Sequence, residues 1–364
     1  MNCCAQDSSA SVESLQPRRL LVRLPNWVGD LVMAIPTVQA LRRLYPNTLM
    51  TALAHPRVVD LVPEDLFDAC ITCGAGGRLQ SLWKTARRIR STHSDTAIIF
   101  PDSFSSALAC MLGGVPQRLG YKADGRRMLL QHTLPLDTTQ QHRSDKYLAL
   151  LSLLTQQRML ENTTPGLQST SVGRAEIRTL LINWGVPEGS PLLLLAPGSQ
   201  ASSRRWPVER FILLARGLQR HTGGFVGLIG SPAERDLCGD IVSRAGGAAL
   251  NLAGNVSLSH LVDLCKLSTV VVSNDNGAAH IAAASGTPTC VLFGAGDARI
   301  TGPRGAQVTI VNRQVHCSPC VSNTCQYQLE CLTAITVEEV LMVVRDACLS
   351  QSIEWKASEE NIEL

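Results

Sequence analysis

Two aspartates follow apolar runs that end in tight turns, one in each half of the chain. Asp30 comes after the run Arg19–Leu24 and a turn that contains Gly29, and a helical pattern begins beside it. Asp275 follows the run Thr269–Val272. A carboxylate placed as Asp30 is would repel a phosphate but could take a proton from a hydroxyl. The alternative for each aspartate is a helix N-cap, which is a common position for this residue type.

The segment after Asp275 is typical of a phosphate site. Gly277 and Ala278 open a short Ala-rich helix, and free backbone N–H groups in the first turn of a helix attract phosphate. His280 lies on the same turn, as a polar residue among alanines. We therefore expect a phosphorylated ligand at this helix start.

Two further strand ends carry side chains that suit a nucleotide diphosphate. Ser199 and Arg204 follow the apolar run Pro191–Leu195, and a hydroxyl with a nearby arginine predicts a diphosphate cradle. Glu234 follows the run Phe225–Ile229. An acidic side chain there can accept hydrogen bonds from ribose hydroxyls.

The elements that must position these residues alternate between apolar strands and helical patterns. This alternation predicts an α/β protein with parallel sheets and with its functional loops at the carboxyl ends of the strands. The helical pattern Leu31–Leu44 follows the first strand. Further strands are predicted at residues 49–54, 96–100, 191–195, 225–229, 270–272 and 289–293.

Length and composition predict two domains of a well-buried protein. The chain has 364 residues, of which 45% are hydrophobic and 17% are charged, a length about twice that of a typical domain. The weakly patterned stretch 155–174 is the predicted boundary. We expect a disordered tail (1–18), a first domain (19–160), a linker (161–174), a second domain (175–345), and a tail or helix (346–364) that packs back on the first domain.

The charge balance argues against some partners. A net charge of +3 is too small for nonspecific binding of nucleic acid through bulk charge. The sequence has no apolar run of about 20 residues and no apolar signal-peptide core near its start, so we expect a cytoplasmic protein. The stretch Gly114–Arg127 reads as a loop with several basic residues. It is either a solvated face or a docking patch for an acidic acceptor.

The motifs together resemble a known family. In chain order they are GD after the first strand, PDSFSSAL, GVPQRLGY, APGS followed by RRWP, GSPAE, and SNDNGAAHIAAASGTPTCVLFG. This series resembles the bacterial ADP-heptose:lipopolysaccharide heptosyltransferases across residues 19–345, and most closely their heptosyltransferase II branch. The resemblance implies a GT-B fold, in which two Rossmann-like domains with parallel sheets face each other across a cleft. It also implies inverting transfer without a catalytic metal or other cofactor.

The resemblance also assigns roles to individual residues. It makes Asp30 the catalytic base. It assigns donor binding to residues at strand ends, namely Ser199, Arg204, Glu234, Asp275, Gly277, Ala278 and His280. For the acceptor we expect contacts from Asn26, Ser103, Arg118, Lys122 and Arg126. Arg204 departs from the family, which commonly has Lys there, and Asp102 departs from the more usual PNSF.

The implied function is transfer of L-glycero-D-manno-heptose from ADP-heptose to heptose I of the lipopolysaccharide inner core. The acceptor would be lipid A-Kdo-heptose, met by a peripheral enzyme at the inner leaflet of the cytoplasmic membrane. One alternative is heptosyltransferase I or another ADP-heptose-dependent transferase of the family. An alternative from another class is a GT-B nucleotide-sugar epimerase, because this fold hosts both activities.

A cluster of cysteines near the end of the chain belongs to none of these motifs. Cys317 and Cys320 form a CxxC pair, and Cys325 and Cys331 follow within fifteen residues. This spacing indicates either a structural Zn or Fe site or a set of reduced thiols. A metal there would hold a loop in place and take no part in transfer.

Overall fold

The computed structural model describes residues 15–136, 141–155 and 164–357. Its first sheet has six parallel strands in the order β3-β2-β1-β4-β5-β6. These strands are β1 Arg19–Arg23, β2 Leu49–Ala54, β3 Ala69–Thr72, β4 Thr96–Ile99, β5 Gln117–Lys122 and β6 His132–Pro135. The second sheet is also parallel, in the order β12-β11-β10-β7-β8-β9. Its strands are β7 Leu192–Ala196, β8 Phe225–Leu228, β9 Leu250–Asn251, β10 Val270–Asn274, β11 Thr289–Phe293 and β12 Val308–Asn312.

Helices connect the strands and cover both faces of each sheet. In the first half they are α1 Val28–Leu44, α2 Arg78–Arg90, α3 Phe104–Leu112, α4 Arg143–Ala149 and α5 Ser152–Thr155. In the second half they are α6 Ser171–Asn183, α7 Val208–Thr222, α8 Arg235–Arg244, α9 Leu258–Leu267, α10 Gly277–Ala284, α11 Ala298–Thr301, α12 Glu330–Thr333 and α13 Val337–Leu349. Within the described ranges, no helix is both long and apolar enough to cross a bilayer.

The central strands form because their residues are apolar on both faces. Every residue of β7, β10 and β11 is buried, as expected for parallel strands covered by helices on both sides. The edge strand β3 has no buried residue. Fully buried strands therefore mark the middle of the second sheet, and the exposed strand β3 marks an edge of the first.

The two sheets have the same strand topology. In each, the chain first builds outward from its first strand, β1 or β7, and then returns to add β4 or β10 on the other side of that strand. The loops after the two central strands turn in opposite directions and leave a crevice at their carboxyl ends. Predicted functional loops lie at these two reversal points, after β1 and β4 in the first sheet and after β7 and β10 in the second, whereas Glu234 follows β8.

One apolar core joins the halves. It includes Leu31 of α1 and Ile281 of α10 together with residues from both sheets. A separate cluster fills the other face of the first sheet, where Ile89 of α2 and Ala107 of α3 pack on Leu21 and Ile99. The start of α1 therefore lies against the start of α10, and α2 and α3 lie on the outer side.

Several expectations about elements were wrong. The stretch expected as a loop, 114–127, contains β5 and pairs in register with β4. The edge strands β3, β6, β9 and β12 were not predicted, because they are short or partly polar and depend on pairing with a neighbour. Helix α6 begins at Ser171, inside the predicted linker.

The predictions for the two ends need correction as well. Residues 15–18 are ordered, since Thr48 donates a hydrogen bond to the Pro17 carbonyl at 2.7 Å. The part of the C-terminal segment described, 346–357, packs on the second half: Trp355 stacks on His221 with ring centroids 4.7 Å apart. The predicted return to the first domain is therefore wrong for these residues. Residues 1–14 and 358–364 lie outside the described ranges.

Candidate functional site

Asp30 lies in the first turn of α1, at the reversal point of the first sheet. The N-cap of this helix is Trp27, whose side chain makes no capping hydrogen bond. The N-cap alternative for Asp30 is therefore wrong. Its side chain is 18% exposed, so the carboxylate is largely shielded from water yet still accessible to a ligand.

Arg143 is the partner of Asp30, and sequence reasoning did not find it. It is the first residue of α4, and its Nη1 donates a hydrogen bond to Asp30 Oδ1 at 3.1 Å. Burial raises the pKa of Asp30, and Arg143 offsets part of this rise. A carboxylate with a raised pKa that an arginine still keeps in place is suited to accept a proton near neutral pH.

Asp275 has a similar partner in the second half. Arg204 Nη1 lies 3.2 Å from Asp275 Oδ2, and the aspartate side chain is only 5% exposed. Burial raises the pKa of Asp275 to about 6, although the charge of Arg204 opposes the rise. Among the residues described, neither Asp275 Oδ2 nor Arg204 Nε has a hydrogen-bond partner. The pair is thus a charge contact that keeps hydrogen-bonding capacity for a ligand.

Asn276, not Asp275, caps helix α10. Its Oδ1 accepts hydrogen bonds from the N–H groups of Ala278, at 2.8 Å, and Ala279, at 3.2 Å. The expectation that the Ala278 N–H is free for a phosphate is therefore wrong. The Asn276 amide also donates to the Gly198 carbonyl at 2.7 Å, so it holds the loop after β7 against the start of α10.

The starts of α1 and α10 touch through two glycines. A Cβ built at Gly29 would lie 2.8 Å from His280 Cδ2, and one built at Gly277 would lie 2.8 Å from Val28 Cβ. Neither position has room for a side chain without movement. The two glycines therefore set the distance between the halves.

His280 is a buried, neutral imidazole. It is 5% exposed, and burial lowers its pKa to about 3, with His142 adding to the effect. Its Nδ1 has no hydrogen-bond partner within the described part of the chain. His280 is thus not a cation for a diphosphate, although its Nδ1 keeps the capacity for a hydrogen bond.

A cavity of about 780 Å³ lies between the halves. Asn26 and Trp27 line it from the first half, and Ser199, Glu234 and Gly277 line it from the second. Its volume falls in the range of small-molecule sites. Asp30, Arg204 and Asp275 do not line it, although Asp30 and Asp275 are close in sequence to the lining residues Val28 and Asn276.

Glu234 lies in this cavity against the loop after β7. Its Oε2 accepts hydrogen bonds from Ser231 N, at 2.7 Å, and Ser231 Oγ, at 2.8 Å. A Cβ at Gly198 would overlap its Oε1, so a side chain there would displace the Glu234 carboxylate. The cavity lining also includes apolar side chains, namely Ile229, Leu252, Val256 and Leu261.

The loop after β4 contains Ser103, the N-cap of α3. Its Oγ lies 2.8 Å from Ser106 Oγ.

Arg126 supports the loop after β4 from the protein interior. It is fully buried, donates to the Tyr121 carbonyl at 2.9 Å and to that of Pro101, and lies 3.4 Å from Asp102 Oδ1. The expectation of an acceptor contact from Arg126 is wrong, because its side chain is not at the surface.

Arg118 is also a brace, because it donates to the Leu129 carbonyl at 2.7 Å and to that of Val115. Because these hydrogen bonds occupy its guanidinium, they argue against the expected acceptor contact from Arg118.

Lys122 is exposed at the end of β5. Asn26 Oδ1 accepts a hydrogen bond from Arg23 at 2.6 Å, and its position in the cavity lining agrees better with donor than with acceptor contact.

The four clustered cysteines line one cavity of about 250 Å³. In the parts of the chain that the structure describes, no three His, Cys, Asp or Glu side chains are grouped so that they could hold a metal ion. Cys325 Sγ instead accepts hydrogen bonds from Tyr327 N and Leu329 N, each at 3.3 Å. The expected Zn or Fe site at Cys317, Cys320, Cys325 and Cys331 is therefore not supported.

Comparison with known proteins gives a consistent result. The family model of glycosyltransferase family 9 (heptosyltransferase) matches residues 82–330, more than half of the chain. The chain is 25% identical over 311 residues to lipopolysaccharide heptosyltransferase 2 of Salmonella typhimurium, covering 80% of this chain and 87% of that relative. It is 28% identical over 310 residues to lipooligosaccharide heptosyltransferase 2 of Haemophilus ducreyi, covering 80% and 88%.

A solved structure confirms the fold. The ADP-heptose lipopolysaccharide heptosyltransferase II of Escherichia coli superposes with a TM-score of 0.78 at 24% identity, covering 92% of this chain and 99% of that one. With two parallel six-stranded sheets, the chain has the GT-B fold expected from its sequence.

Proposed function

Because this chain belongs to glycosyltransferase family 9, the heptosyltransferases, we propose that it transfers a heptose from ADP-heptose to a heptose already present on the lipopolysaccharide inner core. Two relatives that align with 80% of the chain are named heptosyltransferase 2. This name supports an acceptor that already carries a heptose, in preference to one without heptose. The first domain, residues 19–160, would hold the acceptor. The second domain, residues 175–345, would hold the ADP-sugar.

In the proposed step, an acceptor hydroxyl attacks the anomeric carbon of the donor heptose. The new bond joins the acceptor oxygen to this carbon, the bond from the carbon to the diphosphate oxygen breaks, and ADP leaves with the electron pair. Asp30 takes the hydroxyl proton. Attack from the face opposite ADP inverts the configuration at the anomeric carbon.

The donor side must stabilise the charge that develops on the leaving diphosphate. Arg204 is half-buried and keeps an unpaired Nε, and a preorganised cation of this kind stabilises such a charge strongly. On the same side, the Ser199 hydroxyl donates a hydrogen bond to the Asp275 carbonyl at 3.2 Å, which holds the loop after β7 against the start of α10. Asp275 would accept hydrogen bonds from hydroxyls of the donor, which would satisfy its open Oδ2.

The observation that carries the proposal is the position of Asp30. Its carboxylate is shielded, held at 3.1 Å by Arg143, and located at one reversal point, while the start of α10, after Asp275, touches α1 from the other half. An adjacent nucleotide-sized cavity contains residues from both halves. A nucleotide-binding module alone would not need this carboxylate.

The test is a transfer assay with the wild type and Asp30→Asn. The acceptors are purified lipopolysaccharides with no heptose or with one heptose. We expect wild-type activity on the one-heptose acceptor, and about a thousandfold loss in Asp30→Asn, because a general base contributes about 10²–10⁴-fold. ADP-heptose should bind the variant normally, since Asn has nearly the same shape as Asp.

Asp240→Asn is the matched control. Asp240 is half-exposed and pairs with Arg244 at 3.1 Å on the surface of α8, so this variant should keep full activity. A full rate in Asp30→Asn would contradict the role of Asp30. Transfer only to the acceptor without heptose would identify the alternative transferase, and conversion of ADP-heptose without any acceptor would indicate an epimerase or a hydrolase.

A further inference from the structure

Helix α2 carries a concentrated positive charge. Its thirteen residues include five basic ones and no acidic one, whereas the whole chain has a net charge of only +3. The basic residues are Arg78, Lys84, Arg87, Arg88 and Arg90, and all of them are exposed. One helix therefore presents more positive charge than the protein carries overall.

Carboxylates do not neutralise this charge. Within the described ranges, none of the five basic side chains forms a salt bridge. Arg88 donates to the Thr72 carbonyl at 2.8 Å, and Arg90 donates to that of Leu112 at 3.0 Å. These bonds fix the guanidinium groups in place but leave their charge uncompensated.

The same helix exposes two large apolar side chains. Leu79 is 74% exposed and Trp83 is 61% exposed. They are four residues apart, so they lie on one face of the helix, next to each other. The buried face, with Ala86 and Ile89, points elsewhere, so the exposed pair makes no contribution to the core.

Neighbouring elements extend this apolar surface. Phe104 is 38%, Met111 36% and Met128 81% exposed. Their elements pack with α2 over the same face of the first sheet, where they share one apolar cluster. Arg78–Arg90 together with Phe104, Met111 and Met128 are called the α2 surface below.

The α2 surface borders the loop proposed to meet the acceptor. In parallel units each helix runs back from the carboxyl edge of the sheet, so the first turns of α2 and α3 lie at that edge. Leu79 is in the first turn of α2, and Phe104 directly follows Ser103. Leu79 and Phe104 thus lie on the acceptor side of the crevice.

We propose that the α2 surface docks the enzyme on an anionic lipid bilayer. Leu79 and Trp83 enter the boundary between headgroups and acyl chains, and the five basic side chains contact headgroup phosphates. A helix with a basic polar face and exposed Trp and Leu has the composition of an interfacial helix. This inference rests on the proposed function in one respect, namely that the acceptor is a lipid held in the same bilayer.

The apolar residues favour a bilayer over a nucleic acid. Arginines alone would suit either polyanion, but a polynucleotide backbone offers no apolar layer for Leu79, Met111 and Met128. A bilayer meets both parts of the surface at once, because basic residues near an anionic membrane each add about fivefold to the binding constant. Burial of apolar side chains adds to this attraction.

The test measures binding to phosphatidylcholine vesicles with and without phosphatidylglycerol, by co-sedimentation. We expect the wild type to bind only the anionic vesicles. The variants Leu79→Ser with Trp83→Ser, and Lys84→Glu with Arg87→Glu, should each bind at least about tenfold more weakly. Transfer to a vesicle-embedded acceptor should fall in parallel, whereas transfer to the same oligosaccharide freed of lipid should be unchanged.

Matched controls lie on the second half. Val172 and Ile182 are 66% and 57% exposed on α6, and Arg216 and Arg220 are exposed on α7. Val172→Ser with Ile182→Ser, and Arg216→Glu with Arg220→Glu, should bind vesicles as the wild type does.

Absence of wild-type binding to anionic vesicles, including the case in which it binds only RNA, would overturn the proposal. Equal losses in the α2 and control variants would overturn it too. If wild-type transfer fails on every acceptor while the α2 variants still lose vesicle binding, the proposed function fails and the docking surface stands.

Discussion

The start of α1 and the start of α10 are built from the same parts but have different environments. Each carries a shielded aspartate with an arginine beside it, at 3.1 Å for Asp30 and Arg143 and at 3.2 Å for Asp275 and Arg204. In both cases burial raises the pKa of the carboxyl group. The two sites face each other where the halves meet.

The difference lies in exposure and in the open hydrogen-bonding atoms. Asp30 is 18% exposed, against 5% for Asp275, and its arginine bond has hydrogen-bond geometry. On the other side, Asp275 Oδ2 and Arg204 Nε have no hydrogen-bond partner in the described structure. The α1 site is therefore arranged for one proton transfer, and the α10 site is arranged to bind polar groups of a ligand.

After Asp30→Asn, the largest effect should come from the cation of the α10 site. We expect Arg204→Ala to lower kcat/KM by about 10²–10³-fold, because it removes a preorganised charge from the leaving diphosphate. Binding of ADP should weaken as well, which isothermal titration would measure. Arg216→Ala, on the exposed surface of α7, is the matched control. Equal losses of activity in the two variants would contradict a specific role of Arg204 at the diphosphate.

The next prediction concerns Asp275, where one substitution should raise stability but lower transfer activity. Its folded pKa of about 6 lies above the ordinary value of 3.8, so its ionisation costs folding free energy as pH rises through 6. Asp275→Asn removes that cost. The variant should be more stable than the wild type by about 3 kcal/mol at pH near 8, with no gain at pH below about 4.

Chemical denaturation at the two pH values measures this difference in the free energy of unfolding. A gain of equal size at both pH values would show that the ionisation of Asp275 is not its cause. Transfer activity should fall in the same variant, since an Asn offers one acceptor oxygen where the carboxylate offers two.

A smaller, pH-dependent effect is expected at Arg143. Its removal lets the pKa of Asp30 rise further, so a base that must be deprotonated becomes active only at higher pH. Arg143→Ala should therefore lose about tenfold in kcat at acid pH and less at alkaline pH, as a pH–rate profile would measure. Arg143→Lys should restore most of the rate.

Arg42→Ala serves as the control, since Arg42 pairs with Asp68 at 2.8 Å on the same half, away from the crevice. A loss in Arg143→Ala that is uniform across pH would argue for a purely structural role of Arg143.

The smallest effect concerns the contact between the two helix starts. Gly29→Ala would press a methyl group against His280, so we expect kcat/KM to fall by about fivefold through a small displacement of Asp30. Gly239→Ala, where the nearest atom is 3.4 Å away, should leave activity unchanged. Equal kinetics in the two variants would mean that the close approach is not needed for transfer.

The sequence predicted much of the fold because central strands are local patterns. The run Leu192–Ala196 is apolar throughout and Thr289–Phe293 is apolar after its first residue, so their residues alone favour a buried strand. The two-residue strand Leu250–Asn251 and the polar strand Gln117–Lys122 have no such pattern. They are strands because a neighbouring strand pairs with them, which no local window contains.

The candidate site divides in the same way. The order of its motifs singled out Asp30, Asp275 and the loops at the strand ends, because these lie within short segments between strand and helix. The chain pattern could not reveal that Arg143 reaches Asp30, since 113 residues separate the two. An arginine at a helix start is common, and only the packing of α4 beside α1 gives it a partner.

Sequence by itself determined the alternation of strands and helices, the positions of the turns, and the family, since each follows from residue types at short spacing. Tertiary structure alone decided which basic residues are free. It buries Arg126 as a brace and leaves Arg87 exposed on α2. Charge is a property of the residue, but its availability depends on what distant segments pack around it.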